Sequence, residues 1–238
     1  MSNAYDLPEV EVASNSTANV ISLPVSPGKA FYPEWLLVPD DVAEQFAICD
    51  VKVGRNSQVV GDSSFPASLF AESSPRDRLL FDHLQADLRF VLMVTNVSGQ
   101  AARWRGRVVG CCAPEPDLVK PRGAILGLGR TEVPAGSSAL LSAQSQVEVR
   151  PRRLHVPRHL LDSFSVDDLF VGPYLDQPQG SKTSPSSLSR ENLLDRGQVA
   201  LEPCDLLGIG TFVTVAVTNR SPRSLAFTAA LVADLCQK

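Results

Sequence analysis

The chain has 238 residues, 44% of them hydrophobic, which is enough for one large domain or for two domains of ordinary size. Its formal net charge of -4 is small for this length, so no whole-molecule field would attract nucleic acid or an anionic membrane surface. The 15 glycines, the 18 prolines and an aromatic content of only 6% favour many short strands joined by turns over a helical bundle.

The chain begins with a polar, acidic stretch that contains no unbroken apolar run of the length that a targeting or membrane-spanning segment requires. We therefore expect residues 1–18 to form a flexible N-terminal arm that becomes ordered only on a partner. The same features predict a protein made in the cytoplasm, without a signal peptide and without membrane contact.

Two pairs of blocks in the sequence indicate an internal repeat. The stretch that begins at Val38 aligns without a gap over seventeen residues with the stretch that begins at Val156, 118 residues later. A second block starts at Val94 and matches the block that starts at Val217, 123 residues later. A period near 120 residues is too long for a solenoid repeat, so it predicts a duplicated domain.

The repeat sets the predicted domain boundaries. After the arm, the first copy covers residues 19–112 and the second covers residues 131–238. Residues 113–130 contain three closely spaced prolines and are expected to form an extended, semi-rigid linker.

Within each second block, apolar residues alternate with a period of two, which predicts a strand. They are Leu88, Phe90, Leu92 and Val94 in the first copy, and Val213, Val215 and Val217 in the second. In both copies the strand is followed by Thr-Asn-x-Ser, which is typical of a turn, and then by a second alternating run with Trp104 matched by Phe227. We therefore predict a β-hairpin with an inward-facing aromatic residue in each copy.

The first blocks share a break in the alternation of apolar residues, and this break predicts a β-bulge near Asp50 and Asp168. We expect these two acids to cap backbone amides at the bulge. The segments DDVAEQF and RHLLDSF just before it are compatible with a single helical turn or a loop. Together, the patterns predict an all-β protein of two tandem β-sandwich, jelly-roll-like domains related by internal duplication.

No pattern in the sequence indicates catalysis, so we predict that the protein is not an enzyme and has no catalytic, cofactor-binding or metal-binding residues and no cofactor. The Gly-x-Gly triplets at Gly127 and Gly208 do not continue as a nucleotide-binding motif, and they are interpreted as turn or strand-edge glycines. His155 and His159 have the spacing of a helical metal pair, but Pro157 disfavours a helix there. The odd count of five cysteines, without Cys-x-x-Cys spacing, indicates reduced, buried thiols.

Two arginine-rich stretches, at residues 103–107 and 150–153, could contact nucleic acid. Because Trp104 is expected in the core, with its neighbouring arginines on the opposite face of the strand, we interpret these arginines as solvated or as partners in salt bridges. Nucleic-acid binding is therefore not expected.

The tandem arrangement, the strand apolar on both faces (Val91 and Met93 as well as their neighbours) and the polar arm resemble the tandem jelly-roll and β-sandwich coat or particle proteins of viruses and phages. This resemblance implies a structural protein of a virion or assembled particle, which associates with itself and with other particle proteins. An alternative is a tandem binding module that recognises carbohydrate or a protein partner through its loops.

Overall fold

The computed structural model describes residues 2–22, 24–25, 30–74, 81–113, 122–171, 198–200 and 206–236. Almost all of the secondary structure in these residues is β, as predicted. Besides the strands there are only helix α1, Asp40–Ala43, and two short 3-10 helices, Ala67–Phe70 and Arg158–Leu160.

The chain divides into two compact units. The first consists of residues 1–59 and 66–124, and the second of residues 60–65 and 125–238. The second unit therefore contains a six-residue segment from the first half of the sequence, which the repeat did not predict.

The first unit contains two sets of antiparallel strands. One sheet has the order β3-β8-β5-β6, and the other set is formed by β1-β10-β4 and by the pair β2-β9. A bridge between Phe31 and Leu84 places a further segment beside β4. The strand bounds are β1 Ser2–Asp6, β2 Val10–Val12, β3 Thr17–Ile21, β4 Ala30–Leu37, β5 Phe46–Val53, β6 Asn56–Ser57, β7 Phe65–Pro66 at the boundary of the units, β8 Phe90–Asn96, β9 Ala102–Trp104 and β10 Arg107–Ala113.

The second unit has the same plan. Its sheets have the orders β12-β16-β14 and β11-β17-β13-β15, and a bridge between Val149 and Leu207 corresponds to the one in the first unit. The strand bounds are β11 Gly123–Val133, β12 Ser138–Gln144, β13 Val149–His155, β14 Phe164–Val171, β15 Gln198–Ala200, β16 Phe212–Asn219 and β17 Leu225–Leu235.

In each unit the chain crosses repeatedly between the two sheets. In the first unit, one set of strands contains β1, β2, β4, β9 and β10, and the other contains β3, β5 and β8, so the chain crosses after β2, after β3, after β4 and after β8. This alternation of antiparallel strands between two sheets is the order of a jelly roll. The predicted all-β, jelly-roll-like fold class is confirmed.

Two predicted boundaries are wrong. Residues 2–18, expected to be a flexible arm, contain β1, β2 and the start of β3, which pair with β10, β9 and β8. The end of the expected linker, residues 113–130, belongs to β11, and residues 114–121 lie outside the described residues. These strands were missed because their own sequences are polar or follow prolines, whereas their pairing is with residues about 100 positions away.

The predicted core alternation is confirmed in both units except at Leu88, which precedes β8 and is 37% exposed. Phe90, Leu92 and Val94 are at most 1% exposed, and Val213, Val215 and Val217 are fully buried. Trp104 and Phe227 are also fully buried, and each packs against an aromatic ring of the neighbouring sheet, Phe46 at 5.3 Å and Phe164 at 5.0 Å between ring centroids.

The predicted bulges are present. The register of β5 against β8 shifts between Ile48 and Asp50, and that of β14 against β16 shifts between Val166 and Asp168. Asp168 accepts a hydrogen bond from the backbone amide of Leu169 at 2.8 Å, which fits the expected capping role. Asp50 differs, because it accepts from the hydroxyl of Ser57 at 2.6 Å and pairs with Lys52.

A second pair of bulges was not predicted. The register shifts where Gly110 in β10 faces Pro33 in β4, and again where Pro151 in β13 faces Ala233 in β17. Proline cannot donate to the ladder of hydrogen bonds, so it is tolerated beside such an irregularity. The segments DDVAEQF and RHLLDSF precede the bulges at Asp50 and Asp168, and they form α1 and the 3-10 helix Arg158–Leu160, respectively. Of the two alternatives, a helical turn or a loop, the helical turn is therefore correct.

Each predicted turn is held by one fully buried asparagine. The side-chain amide of Asn96 donates to the carbonyls of Val12 and Gln100 at 2.8 Å, and its oxygen accepts from the amide of Ser98 at 2.9 Å. Asn219 makes the corresponding bonds to Val133, Arg223 and Ser221 at the same three distances. The Thr-Asn-x-Ser pattern predicted the turn. The structure adds that the asparagine ties this turn to a strand of the opposite sheet.

Candidate assembly surface

The groups that sequence analysis considered for chemistry have structural roles. Gly127 lies in β11, where an added Cβ would come within 2.3 Å of the backbone oxygen of Ser63, and Gly210 has a φ of +79° in a turn. Both fit the interpretation as turn and strand glycines. His155 lies in β13 and is 7% exposed, whereas His159 lies in the following 3-10 helix, so the two do not share a helix face.

Within the described ranges, no three His, Cys, Asp or Glu side chains are arranged to hold a metal ion. The four cysteines in these ranges are free thiols, and they are half-buried rather than buried as expected: Cys49, Cys111, Cys112 and Cys236. None of the helices in the described part of the chain has the length and hydropathy needed to cross a membrane.

The arginines around Trp104 point away from the core. Three of them pair with acids of the first unit: Arg103 with Glu9 at 3.5 Å, Arg105 with Asp41, and Arg107 with Asp6 at 3.9 Å. All of these pairs are solvent-exposed, so each contributes little stability. In the second unit Arg152 pairs with Asp234 at 3.0 Å.

A narrow cavity in the first unit has room for about one water molecule. Its walls include Tyr5, Phe31 and Val108. The pKa of Tyr5 is raised above 10.0, first by a hydrogen bond between its hydroxyl and the thiol of Cys112 at 3.7 Å, then by burial and by the charge of Cys112. The cavity is interior packing space and is too small for a substrate.

The surfaces that can serve an assembly are the outer faces of the sheets. In the second unit, the outward residues of β12 and β16 carry no charge. Cross-strand hydroxyl pairs, Ser138 with Thr218 and Ser142 with Thr214, each at 2.7 Å, lie on this face. We call the outward side chains of β12 and β16 the neutral face.

Large apolar side chains stand on the neutral face and on the loop beside it. Leu140 on β12 is 63% exposed, Phe212 at the start of β16 is 50% exposed, and Ile209 in the preceding loop is 75% exposed. Phe170 on β14 is half-buried beside Thr214. Exposed apolar residues that stand on one face can mark an interaction surface.

The other sheet of the second unit has a different outer surface. There the exposed residues include Arg130 and Glu132 on β11, and Arg150 and Arg152 on β13. On the opposite sheet the outward residues of β12 and β16 are uncharged, and the charges of this sheet, Asp167 and Asp168, stand on β14.

The register shows which residues occupy the same places in the first unit. Asn19 faces Met93 across the β3-β8 ladder as Leu140 faces Ala216, and Lys52 faces Val91 as Phe170 faces Thr214. By the same register Arg89 corresponds to Phe212. The three positions corresponding to Leu140, Phe170 and Phe212 are therefore polar or cationic in the first unit: Asn19, Lys52 and Arg89.

Comparison with known proteins gives a limited result. No protein-family model matches the chain, and no curated protein matches it. A solved structure described as showing the triple jelly-roll fold and turret assembly in an archaeal virus is similar, with 10% sequence identity and a TM-score of 0.31. The match covers 95% of this chain and 58% of that one, so this chain spans less than two thirds of its length. The jelly-roll assignment rests on the strand order described above.

Proposed function

We propose that the chain is a non-enzymatic structural protein of a virus- or phage-type particle, and that it associates with itself through the faces of its sandwiches. The observation that carries this proposal is the neutral face, which presents Leu140 and Phe212 on rigid, paired strands. Paired strands hold such residues in place, so little ordering entropy is lost when a partner covers them.

The double sandwich also supports the proposal. Each unit has its own buried core and its own buried asparagine that holds a turn, Asn96 or Asn219. Two rigid blocks are therefore available for lateral contacts. Repeated contacts between identical chains generate closed rings or shells when the rotation closes, and extended arrays when it does not.

The matching bulges, bridges and clamps also support a common origin of the two units by duplication. On this proposal the outer faces have since diverged in chemistry, because Lys52 and Arg89 stand where the second unit has phenylalanines. The two units therefore present unlike side chains at these outward positions on a shared framework.

The test is the oligomeric state of the purified full chain over a range of protein and salt concentrations. Light scattering after size-exclusion chromatography, with negative-stain microscopy, is expected to show oligomers or regular particles above a threshold concentration. Higher salt should leave this threshold unchanged or lower it, because an apolar contact is not screened. A chain that stays monomeric under all conditions would refute the proposal, and glycan binding by that monomer would support the binding module instead.

A further inference from the structure

In each unit a helical turn lies beside the Thr-Asn-x-Ser turn of the hairpin. In the first unit the backbone amide of Val97 donates to the carbonyl of Gln45 at 2.9 Å, just after α1. In the second unit the backbone amide of Arg220 donates to the carbonyl of Ser163 at 2.7 Å, just after the 3-10 helix Arg158–Leu160. We call this part of each unit its hairpin end. The two hairpin ends share this backbone contact, so they can be compared residue by residue.

The hairpin end of the second unit is basic. Arg158 opens the 3-10 helix, and Arg220 and Arg223 lie in the turn beside it. All three side chains are exposed, and none of them forms an ion pair in the part of the chain that the structure describes. Like charges at one end of a unit repel each other, so an approaching anionic surface would be attracted there.

The hairpin end of the first unit carries the opposite charge. Asp40 occupies the place of Arg158, because both follow the aligned Val-Pro pairs, and the uncharged Val97 occupies the place of Arg220. Arg105 pairs with Asp41, and the described residues of this end still carry an excess of negative charge. Its exposed acids are Asp40, Asp41, Glu44 and Glu72, the last placed there by a hydrogen bond from its amide to the carbonyl of Val38 at 3.0 Å.

The charges of the two ends are not fixed by folding. The same backbone contact is made with Asp40 in one unit and with Arg158 in the other, and both side chains are exposed. A polyanion such as nucleic acid would match the basic end alone. A second copy of the chain matches both ends with a single contact, because each copy carries one end of each sign.

We infer that the basic hairpin end of one chain meets the acidic hairpin end of a second copy. This inference rests on the proposed self-association and adds a second kind of contact to it. The contact joins two different surfaces, so it can repeat from copy to copy. Exposed charges add little affinity but steer the encounter of two proteins. The hairpin ends therefore govern the rate of assembly, whereas the neutral face governs the threshold concentration.

The test is the initial rate of assembly of the full chain, followed by light scattering above the threshold concentration. For the wild type, raising the salt concentration from about 20 mM to about 500 mM should slow this rate about tenfold, because the steering charges are screened. The variant Arg158→Gln, Arg220→Gln, Arg223→Gln should assemble about tenfold more slowly at low salt and should lose the salt dependence. Its threshold should equal that of the wild type.

The matched control removes the same charge elsewhere. Lys52→Gln, Arg55→Gln, Arg89→Gln changes three exposed cations of the first unit at the opposite end of β5 from α1, and should assemble at the wild-type rate.

Two further variants complete the design. Arg158→Lys, Arg220→Lys, Arg223→Lys keeps the charge and should also keep the wild-type rate. Glu44→Gln, Glu72→Gln changes the acidic end and should slow assembly as the glutamine variant of the basic end does. Far-ultraviolet circular dichroism checks that each variant is folded.

The outcomes separate the two proposals. If the wild type assembles and the glutamine variants of both ends assemble at the same rate with the same salt dependence, the charged ends do not meet, but self-association stands. If the wild type never assembles, both proposals fail. If the wild type binds a single-stranded oligonucleotide, and the glutamine variant of the basic end loses this binding at an unchanged assembly rate, that end takes nucleic acid and the inference is overturned.

Discussion

The two units share their inner structure and differ in their outer faces. Asn96 and Asn219 make the same three hydrogen bonds, and Asp50 and Asp168 stand at corresponding bulges. Outward side chains are not shared in this way, because Lys52 of the first unit corresponds to Phe170 of the second. The buried side chains and turns are thus constrained by folding, while the outward side chains are free to follow the surroundings of each unit.

This comparison can be tested unit by unit, because both tryptophans, Trp35 and Trp104, belong to the first unit. Tryptophan fluorescence therefore reports unfolding of the first unit, whereas circular dichroism reports both.

The largest effect is expected from the buried asparagines. Asn96→Ala removes four hydrogen bonds and Asn219→Ala removes three, and both leave buried backbone groups unpaired, so each should lower the free energy of unfolding of its unit by about 3 kcal/mol. Asn96→Ala should shift the fluorescence transition in urea. Asn219→Ala should leave the fluorescence transition unchanged. It should shift only the contribution of the second unit to the circular dichroism transition.

The matched control is Asn56→Ala, which removes a single exposed hydrogen bond to Asp82 and should cost less than about 0.5 kcal/mol. If Asn96→Ala or Asn219→Ala is no less stable than Asn56→Ala, the buried asparagines do not hold the turns.

A smaller, asymmetric effect is expected from exchanging the aromatic core residues. The indole nitrogen of Trp104 is buried without a hydrogen-bond partner among the described residues. Trp104→Phe loses packing but removes this unpaired N–H, so the unfolding free energy should change by less than about 1 kcal/mol. Phe227→Trp overfills its site and buries a new N–H, and should cost about 3 kcal/mol.

Urea denaturation measures both variants. Fluorescence from Trp35 follows the first variant, and the new tryptophan follows the second. Equal costs for the two exchanges would contradict this account of the two cores.

The smallest effect is a pH dependence confined to the first unit. Because the folded pKa of Tyr5 lies above 10.0, its neutral form contributes stability that is complete below pH 10 and is lost as the pH rises through the folded pKa. Tyr5→Phe should flatten the alkaline decline of the fluorescence transition. An alkaline decline identical in wild type and Tyr5→Phe would exclude this role for Tyr5.

The predictable part of the fold is the part encoded in local patterns. The alternation in β8 and β16, the phase break at Asp50 and the Asn turn each lie within a few residues, so the hairpins and bulges could be found. β1 and β2 could not, because their pairing with β10 and β9 is encoded about 100 residues away.

The candidate surface was only half predictable. Lys52 and Phe170 occupy the same position in the alignment of the two repeats. Whether their side chains point inward or outward depends on the strand register after the bulge, which only the structure shows. Val91 and Met93 show the same limit. Their apolar character predicted a strand covered on both faces, whereas both are only half-buried on the outward face.

Residues 60–65 give the molecule an unusual topology. The chain leaves the first unit after Val59, pairs Val60 with the backbone of Ile125 and Gln146, and returns to the first unit at Pro66. A polypeptide that begins at residue 131 would therefore lack this segment and residues 123–130 of β11. Folding of the second unit thus draws on residues from both halves of the sequence, and the backbone of Val60 is hydrogen-bonded to Ile125 and Gln146.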